Sequence, residues 1–309
     1  MIATGNAPIL VGVDGSSSAL RATEWSARAA VLHHAPLVLL AVVTVPAAYG
    51  AGAGVPPGFV DGLEEEGQRR LREAADAAKR VAGSRHELDL RTEFQIGAAI
   101  PVLRERAKQA RMLAVGTRGL GELTGTFVGS VAVALVSYGP CPVVVVRGRT
   151  PGAYPPTEGP VVVGIDGSPL SEAALAVAFE EASLRGARLI AVHAWSDVPV
   201  RESFGMHTRP FDWAGIHTAE RIVLAERLAG WQERYPDVDV DRVVVQDRPA
   251  HSLLHYAEHA QLVVVGSRGR GGFSGMLLGS TSNALVHTAP CPLLIVRATT
   301  TADAKETSR

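Results

Sequence analysis

The chain repeats itself, and this internal duplication limits the folds open to it more than any other feature of its sequence. The segment VGVDGSS at 11–17 returns as VGIDGSP at 163–169, a displacement of 152 residues. The segment GTRG at 116–119 returns as GSRG at 266–269, a displacement of 150 residues. Such self-similarity indicates two copies of one folding unit.

The length of the chain agrees with a division into two domains. At 309 residues, the chain exceeds what one compact core usually holds. Prolines and glycines are frequent between the copies, where they remove helix and sheet hydrogen bonds. We expect a first domain over 1–148, a linker over 149–159, a second domain over 160–298 and a disordered polar tail over 299–309.

The composition excludes several classes of partner. Thirty basic residues against thirty-one acidic ones leave a net charge of −1, which argues against general binding of nucleic acid or of anionic membranes. The sequence shows no apolar run approaching the roughly 18 residues that span a bilayer, and no export signal at its start. The two cysteines, Cys141 and Cys291, suit a reducing compartment. We expect a cytoplasmic protein without a disulfide.

Short β-branched apolar runs alternate with longer segments of helical period in both copies, which predicts an α/β fold with doubly wound parallel five-stranded sheets. Near-continuous apolarity indicates strands buried on both faces. The first copy has predicted strands at Ile9–Val13, Leu37–Val45, Leu88–Phe94, Met112–Gly116 and Val143–Arg147. The second copy has them at Val161–Ile165, Leu189–Trp195, Val240–Gln246, Leu262–Gly266 and Leu293–Arg297.

A doubly wound sheet binds ligands at the carboxyl ends of the strands where the winding direction reverses. If the first and fourth strands of each copy flank that point, the loops that follow them line a pocket. In the first copy these loops are 13–16 and 116–129, which are the segments that the duplication preserves. The functional search therefore concentrates on these two loops and their counterparts.

The pattern G-x2-G-x9-G-[S/T] occurs once in each copy, and its recurrence makes it a strong signal. It comprises Gly116, Gly119, Gly129 and Ser130, and again Gly266, Gly269, Gly279 and Ser280. Glycines let the backbone approach an anion and turn amide N–H groups toward a phosphate at a helix N terminus. The alternative is a tight turn between a strand and a helix.

An aspartate ends the first strand of each copy, beside the glycine pattern. Asp14 and Asp166 could hold Mg²⁺ that bridges phosphates or could accept a hydrogen bond from a ribose hydroxyl. The alternative is an N-cap for the following helix, and Ser16 and Ser168 carry the same ambiguity.

Val42 and Ala194 lie near the ends of the second strands. Their backbone groups could form hydrogen bonds with the edge of an adenine ring. The alternative, which the sequence favours equally, is that these two residues only pack in the core.

Together these residues resemble the universal stress protein family, in its tandem-domain ATP-binding type, and the resemblance covers both halves. The segments HAWSD at 193–197 and GSRGRGG at 266–272 look like the actinobacterial members. The resemblance implies a Rossmann-like, adenine nucleotide alpha hydrolase-like fold with sheet order 3-2-1-4-5. It also implies that the last strands of the two copies pair antiparallel and form an internal pseudo-dimer.

The resemblance and the glycine pattern together name the residues expected to hold ATP, with Asp14 and Asp166 as the Mg²⁺ ligands. In the first copy they are Gly12, Asp14, Ser16, Val42, Gly116, Thr117, Arg118, Gly119, Leu120, Gly121, Gly129, Ser130 and Val131. In the second copy they are Gly164, Asp166, Ser168, Ala194, Asp197, Gly266, Ser267, Arg268, Gly269, Arg270, Gly271, Gly272, Gly279, Ser280, Thr281 and Ser282.

The sequence argues against several enzyme classes, and we assign no catalytic residue. The chain has three lysines, at 79, 108 and 305, and none lies in a phosphate-binding G-x4-G-K-[S/T] pattern. It has no G-x-S-x-G nucleophile motif. An H-x-x-E-H pattern at 255–259, with His251 one turn earlier, would fit zinc, but the corresponding helix of the first copy has no histidine. A solvated helix face is the favoured interpretation.

The sequence thus favours a protein that binds ATP and regulates stress adaptation or growth arrest through nucleotide-dependent conformational change. One alternative is a slow ATPase or a nucleotide-dependent phosphotransferase, which would need a base and a cation cluster that we cannot identify. A second is a scaffold that binds no nucleotide. Association into a homodimer and the identity of protein partners stay open.

Overall fold

The structure is a computed structural model, and it describes residues 6–45, 58–83, 88–119, 128–150, 152–195, 213–270 and 277–297. The chain divides into two compact units: the first comprises the described residues up to Pro155 together with Arg297, and the second comprises Pro156–Val296. Each unit is a mixed α/β structure built on a parallel sheet. The fold class expected from the sequence is confirmed.

In the first unit, five strands alternate with four helices of the described residues. The strands are β1 (Ile9–Val13), β2 (Leu37–Val43), β3 (Leu90–Ile96), β4 (Met112–Gly116) and β5 (Val143–Val146). The helices are α1 (Ser17–Leu32), α2 (Phe59–Ala82), α3 (Ala99–Ala107) and α4 (Ser130–Tyr138).

The second unit repeats this order. Its strands are β6 (Val161–Gly164), β7 (Leu189–Trp195), β8 (Val240–Gln246), β9 (Leu262–Gly266) and β10 (Leu293–Val296). Its helices among the described residues are α5 (Pro169–Arg185), α6 (Trp213–Arg234), α7 (Pro249–Ala257) and α8 (Ser280–Thr288).

Strand order is the same in both units and matches the expected 3-2-1-4-5. The first unit is ordered β3-β2-β1-β4-β5, and the second is ordered β8-β7-β6-β9-β10. Every strand pair within a unit is parallel, and β1 pairs with β2 on one side and β4 on the other. The winding therefore reverses between β1 and β4, and between β6 and β9. The pairing of the two last strands with each other stays a prediction.

The central strands are buried on both faces, as their apolar runs indicate. Residues of β1, β4 and β5 are almost wholly inaccessible, and so are those of β6, β9 and β10. In the first unit α1 contacts α2, and α3 contacts α4. Right-handed crossovers place these two pairs on opposite faces of the sheet. The loops after β1 and β4 are left at its carboxyl edge.

The bounds of β2 and β3 differ from the sequence expectation by two residues, and β5, β6 and β10 each end one residue earlier than expected. Strand β2 ends at Val43 rather than at Val45, and β3 runs over Leu90–Ile96 rather than Leu88–Phe94. The shift in β3 arises because every side chain of this edge strand is half-buried or exposed, so apolarity marks its start poorly. Helix α2 begins at Phe59, directly after Gly58 with a φ of 76°.

A stacked aromatic cluster stabilises the second unit. Phe179 of α5 is fully buried, and its ring centroid lies 6.0 Å from that of Trp231 in the last turn of α6 and 5.8 Å from that of Tyr235, the residue that follows this helix. We expect Phe179→Ala to lower the free energy of unfolding of this unit by about 3–5 kcal/mol, because it removes a buried ring and leaves a cavity. Guanidinium unfolding followed by circular dichroism measures the effect.

Ile222→Ala is the matched control, because Ile222 lies on α6 but is 55% exposed. We expect this substitution to change the free energy of unfolding by less than about 0.5 kcal/mol. Equal losses for the two variants would contradict the role given to the aromatic cluster.

Candidate functional site

A cavity of about 470 Å³ opens in the first unit where the winding of the sheet reverses. The loops after β1 and β4 and the first turns of α3 and α4 form its walls. Its lining comprises Gly12, Val13, Asp14, Ala19, Leu40, Val42, Ala99, Leu103, Val115, Gly116, Thr117, Arg118, Gly119, Val128, Gly129, Ser130, Val131 and Ala132. A volume of this size lies within the range of small-molecule sites.

The second unit has the corresponding cavity, of about 420 Å³. Its lining comprises Gly164, Ile165, Asp166, Ser171, Val192, Ala194, Pro249, Leu253, Val265, Gly266, Arg268, Gly269, Arg270, Gly279, Ser280, Thr281 and Ser282. The duplication has thus preserved a cavity as well as a sequence pattern.

A backbone hydrogen bond closes the glycine loop in each unit. The N–H of Gly129 donates to the carbonyl of Thr117 at 2.7 Å, and that of Gly279 donates to Ser267 at 2.8 Å. This bond joins the end of the strand to the start of α4 or α8. Both ends of the glycine pattern therefore meet at the cavity.

Helices α4 and α8 begin at the cavity without a side-chain cap. Their N-cap residues are Gly129 and Gly279, and neither helix has a side-chain hydrogen bond at this end. The first helical hydrogen bonds are donated by Val133 and Asn283. The amides of the preceding residues therefore have no helical acceptor and supply donors and a positive dipole end at the cavity wall.

Contacts within the protein itself require glycine at positions 116 and 119 of the first pattern and at position 269 of the second. A Cβ at Gly116 would lie 2.2 Å from Ser18 Oγ, and a Cβ at Gly119 would lie 2.7 Å from Asp14 Oδ2. At Gly269 the distance to Asp166 Oδ2 is 2.2 Å. The carboxylate at the end of the first strand therefore lies so close to Gly119 or Gly269 that only glycine fits there, whether or not a ligand is bound.

The third glycine has no comparable internal reason. A Cβ at Gly129 would meet nothing nearer than the carbonyl of Thr117 at 3.6 Å, and φ is −63°. At Gly279 the nearest atom is Arg268 Cα at 3.3 Å, with φ of −71°. Both glycines line the cavities, so a residue without a side chain keeps the helix N terminus open there.

The aspartates organise the turn that follows the first strand of each unit. Asp14 Oδ1 accepts the N–H of Ser16 at 2.9 Å, and Asp166 Oδ1 accepts that of Ser168 at 2.9 Å. Asp166 Oδ2 also accepts the N–H of Arg270 at 2.8 Å. Burial opposes ionisation of Asp166, but the hydrogen bonds from Ser168, Arg270 and Ser171 outweigh it and hold its pKa below the ordinary value.

Ser16 and Ser168 cap the helices that follow the two aspartate turns. Ser16 Oγ accepts the N–H of Ala19 at the start of α1, and Ser168 Oγ accepts that of Ser171 at the start of α5. Neither serine lines a cavity. The aspartates instead accept the backbone N–H groups of these serines. Each carboxylate oxygen has two lone pairs, so each aspartate can still accept a hydrogen bond from a ligand or bind a cation.

The structure brings together most of the residues that the sequence proposed. Exceptions among the described residues are Ser16 and Ser168, which cap helices, and Ser267, which is buried behind the wall and donates its N–H to Val296. Five expected residues lie outside the described part of the chain: Leu120, Gly121, Asp197, Gly271 and Gly272.

The apolar wall contributed by α3 and α7 was missed by the sequence reasoning. Leu103 and Leu253 line the cavities and pack on Gly12 and Gly164, where a Cβ would lie 3.3 and 3.0 Å from the leucine methyls. The two leucines are displaced by 150 residues, the same interval as the glycine patterns. Extending that displacement to every apolar position could have found them.

An arginine behind each aspartate turn was also missed. Arg70 of α2 lies against Gly15, which has a φ of 86°, and its Nε donates to Glu66 at 2.8 Å. Arg227 of α6 lies against Gly167, which has a φ of 77°. These arginines pack on turns that only glycine adopts readily.

Other patterns in the sequence carry no site among the described residues. His251 is 77% exposed and pairs with Asp247 at 2.6 Å, and no three histidine, cysteine or carboxylate side chains gather as metal ligands in the described ranges. Both cysteines are buried and neither forms a disulfide, and burial raises the pKa of Cys141 to about 12. No helix of the described residues is long and apolar enough to cross a membrane.

We expect Asp166→Asn to lower the free energy of unfolding of the second unit at pH 7 by about 1–3 kcal/mol, since backbone donors lose an ionised acceptor. The ionised carboxylate contributes fully above the ordinary aspartate pKa of about 3.9, and the contribution is lost as pH falls through the lower folded-state pKa. The wild type should therefore lose more stability than the variant below about pH 4. Urea unfolding across this range measures the difference.

Asp239→Asn is a suitable control, because the Asp239 side chain is 82% exposed and its contact with Arg188 is 3.8 Å long. Identical acid profiles for the wild type and Asp166→Asn would argue against the role of this carboxylate in the turn.

Comparison with known proteins places the chain in one family. The model of the Universal stress protein family matches residues 5–147 and 159–297. Universal stress protein Rv2005c from Mycobacterium tuberculosis is 44% identical over 289 residues, covering 94% of this chain and 96% of that protein. Rv2623 from the same organism is 41% identical over 289 residues, with the same coverage.

Solved structures agree in fold. A universal stress protein from Archaeoglobus fulgidus aligns over 94% of this chain and 98% of its own, with a TM-score of 0.69 at 19% identity. The sequence matches span both copies of the repeat, and the fold match extends over nearly the whole chain. The chain therefore belongs to the universal stress protein family and carries two copies of the family's domain.

Proposed function

We propose that this protein binds one adenine nucleotide, preferentially ATP, in each unit, and that nucleotide occupancy regulates its interactions. The observation that carries the proposal is the uncapped N terminus of α4 and of α8, which faces a cavity beside a glycine loop. Amide donors at a helix N terminus form a ready anion site. The recurrence of this arrangement in both units supports a role that the duplication has retained.

The remainder of each cavity suits a nucleoside. Leu40, Val42 and Leu103 give the first cavity an apolar end, and Val192, Ala194 and Leu253 do so in the second. A flat adenine ring gains free energy from burial against such side chains. The base would occupy this end, and the polyphosphate would extend past the aspartate toward the glycine loop.

The carboxylates of Asp14 and Asp166 suit Mg²⁺, because hard oxygen donors are the ligands that this ion prefers. Magnesium would neutralise charge on the phosphates that it bridges. Both oxygens of Asp166 already accept a backbone N–H, so the remaining lone pairs would serve the ion or a ribose hydroxyl.

Binding rather than turnover is the function that these residues support. The cationic side chains among the described lining residues are arginines: Arg118 in the first cavity, and Arg268 and Arg270 in the second. Arginine stabilises phosphate charge but does not act as a general base at neutral pH. Histidine and lysine do not occur in either described lining.

Regulation would follow from the effect of nucleotide on the glycine loops. A ligand changes a conformational equilibrium only by its differential affinity for the two states. Phosphate bound by loop amides would stabilise one loop conformation and the surface beside it, which a partner protein then recognises. We propose that this occurs in the cytoplasm during adaptation to stress, with a second copy of the chain as one such partner.

The direct test is to purify the protein, denature it and identify released nucleotide by mass spectrometry. Titration calorimetry with Mg-ATP on nucleotide-free protein then gives the stoichiometry. We expect two nucleotides per chain. A chain that binds none at millimolar ATP would overturn the proposal and would favour a scaffold without nucleotide.

We expect the double substitution Gly119→Ala and Gly269→Ala to weaken ATP binding at least tenfold. Each added Cβ would lie 2.7 or 2.2 Å from an aspartate oxygen, so the loop and carboxylate must separate. Calorimetry measures the loss of affinity, and circular dichroism shows whether the fold is retained.

The matched control is Gly62→Ala with Gly230→Ala, because a Cβ at either helical glycine would meet no atom within 4 Å. Alanine favours helix at such positions by up to about 1 kcal/mol, so stability should rise slightly while ATP affinity stays unchanged. A control that loses affinity equally would contradict the role of the glycine loops.

A further inference from the structure

We propose that Ser18 is a positioning residue that holds the first glycine loop in the conformation that binds polyphosphate, and that the second unit lacks this device. The inference rests on the proposed function. Ser18 lies in the first turn of α1, and it does not line the cavity.

One hydroxyl group makes two hydrogen bonds to the same loop residue. Ser18 Oγ donates to the carbonyl of Arg118 at 2.6 Å and accepts the N–H of Arg118 at 3.1 Å. Ser16 Oγ donates to the same carbonyl at 3.2 Å. The peptide groups on both sides of Arg118 are therefore fastened to the N terminus of α1.

Packing gives this contact little freedom. Ser18 is 4% exposed, and the position of a Cβ on Gly116 would lie 2.2 Å from its hydroxyl and 2.7 Å from its carbonyl oxygen. Helix α1 can therefore approach the loop this closely only because residue 116 is glycine. A buried hydroxyl with both its donor and its acceptor satisfied is costly to displace.

The second unit has a different side chain at this place. The displacement of 152 residues that relates the two aspartate turns puts Leu170 at the position of Ser18. Leucine has no hydroxyl, and a Cβ on Gly266 would lie 3.0 Å from Leu170 Cβ. Ser282 of α8 instead donates to the carbonyl of Gly266 at 2.7 Å. The residue that corresponds to Ser282 in the first unit is Ala132, which has no hydroxyl.

The two units thus use hydrogen bonds from different helices in this region. In the first unit a serine of α1 holds the loop at Arg118, and in the second a serine of α8 holds the strand end at Gly266. Preorganised amides lose less conformational freedom when they bind a ligand. Removal of the Ser18 hydroxyl should therefore weaken the binding of phosphates in the first cavity and leave the binding of the base there unchanged. The second cavity should not be affected.

Hydrogen exchange measured by mass spectrometry can follow each cavity separately, because peptides from 112–119 and 262–269 report on different loops. We would titrate wild type and Ser18→Ala with Mg-ATP and with adenosine. In the first cavity we expect about tenfold weaker binding of ATP, which corresponds to about 1.4 kcal/mol. We expect less than a twofold change for adenosine, and no change in the second cavity for either ligand.

Ser17→Ala is the matched control, because Ser17 is the neighbouring serine of α1 and is exposed. Its titrations should equal those of the wild type. Without nucleotide, the amide of Arg118 should exchange faster in Ser18→Ala than in Ser17→Ala. Ser18→Leu, which introduces the residue of the second copy, repeats the measurement if the alanine variant folds poorly.

The outcomes separate this inference from the proposed function. Unchanged ATP affinity in Ser18→Ala, with binding in the wild type, would overturn the positioning role and leave the proposed function intact. Equal loss for ATP and adenosine would show a general structural effect and would also overturn it. A wild type that binds neither ligand would overturn both.

Discussion

Backbone amides without acceptors are the feature on which the site depends. The first turn of a helix leaves N–H groups that its own hydrogen bonds cannot satisfy. In α1 and α5 serine side chains cap this end, whereas in α4 and α8 a glycine occupies the cap position and the amides face a cavity. A hydrogen bond from that glycine to the end of the preceding strand holds the helix there. The sheet positions these donors, and an anion is the ligand that they complement.

The duplication supplies an internal comparison of what this geometry requires. Both units keep the aspartate, its turn glycine and the loop-closing hydrogen bond. They differ in the side chains behind the loop, since Ser18 becomes Leu170 and Ala132 becomes Ser282. The carboxylate, the glycines and the open helix end therefore form the common core of the site. The hydrogen bonds that support the loop and the strand end differ between the two units.

Much of this arrangement could be predicted from the sequence, because repeated apolar runs define buried parallel strands and the switch point follows from strand order. The edge strand β3 was misplaced by two residues, since its half-exposed side chains give a weak pattern. The contact of Gly119 with Asp14 and the fastening of Arg118 by Ser18 could not be predicted. Those contacts join residues about a hundred positions apart, and only the packing of α1 on the loop creates them. Sequence spacing suggested that the glycines serve a ligand, and the structure adds that Gly116, Gly119 and Gly269 are also required by contacts within the protein.

The central claim is that loop and helix amides bind the polyphosphate of an adenine nucleotide in both units. A crystal structure of the protein with Mg-ATP tests it most directly. We expect phosphate oxygens within hydrogen-bond distance of the amides of Gly119, Ser130 and Val131, and of Gly269, Ser280 and Thr281. Two empty cavities, or a nucleotide whose phosphates contact only arginine side chains, would contradict it.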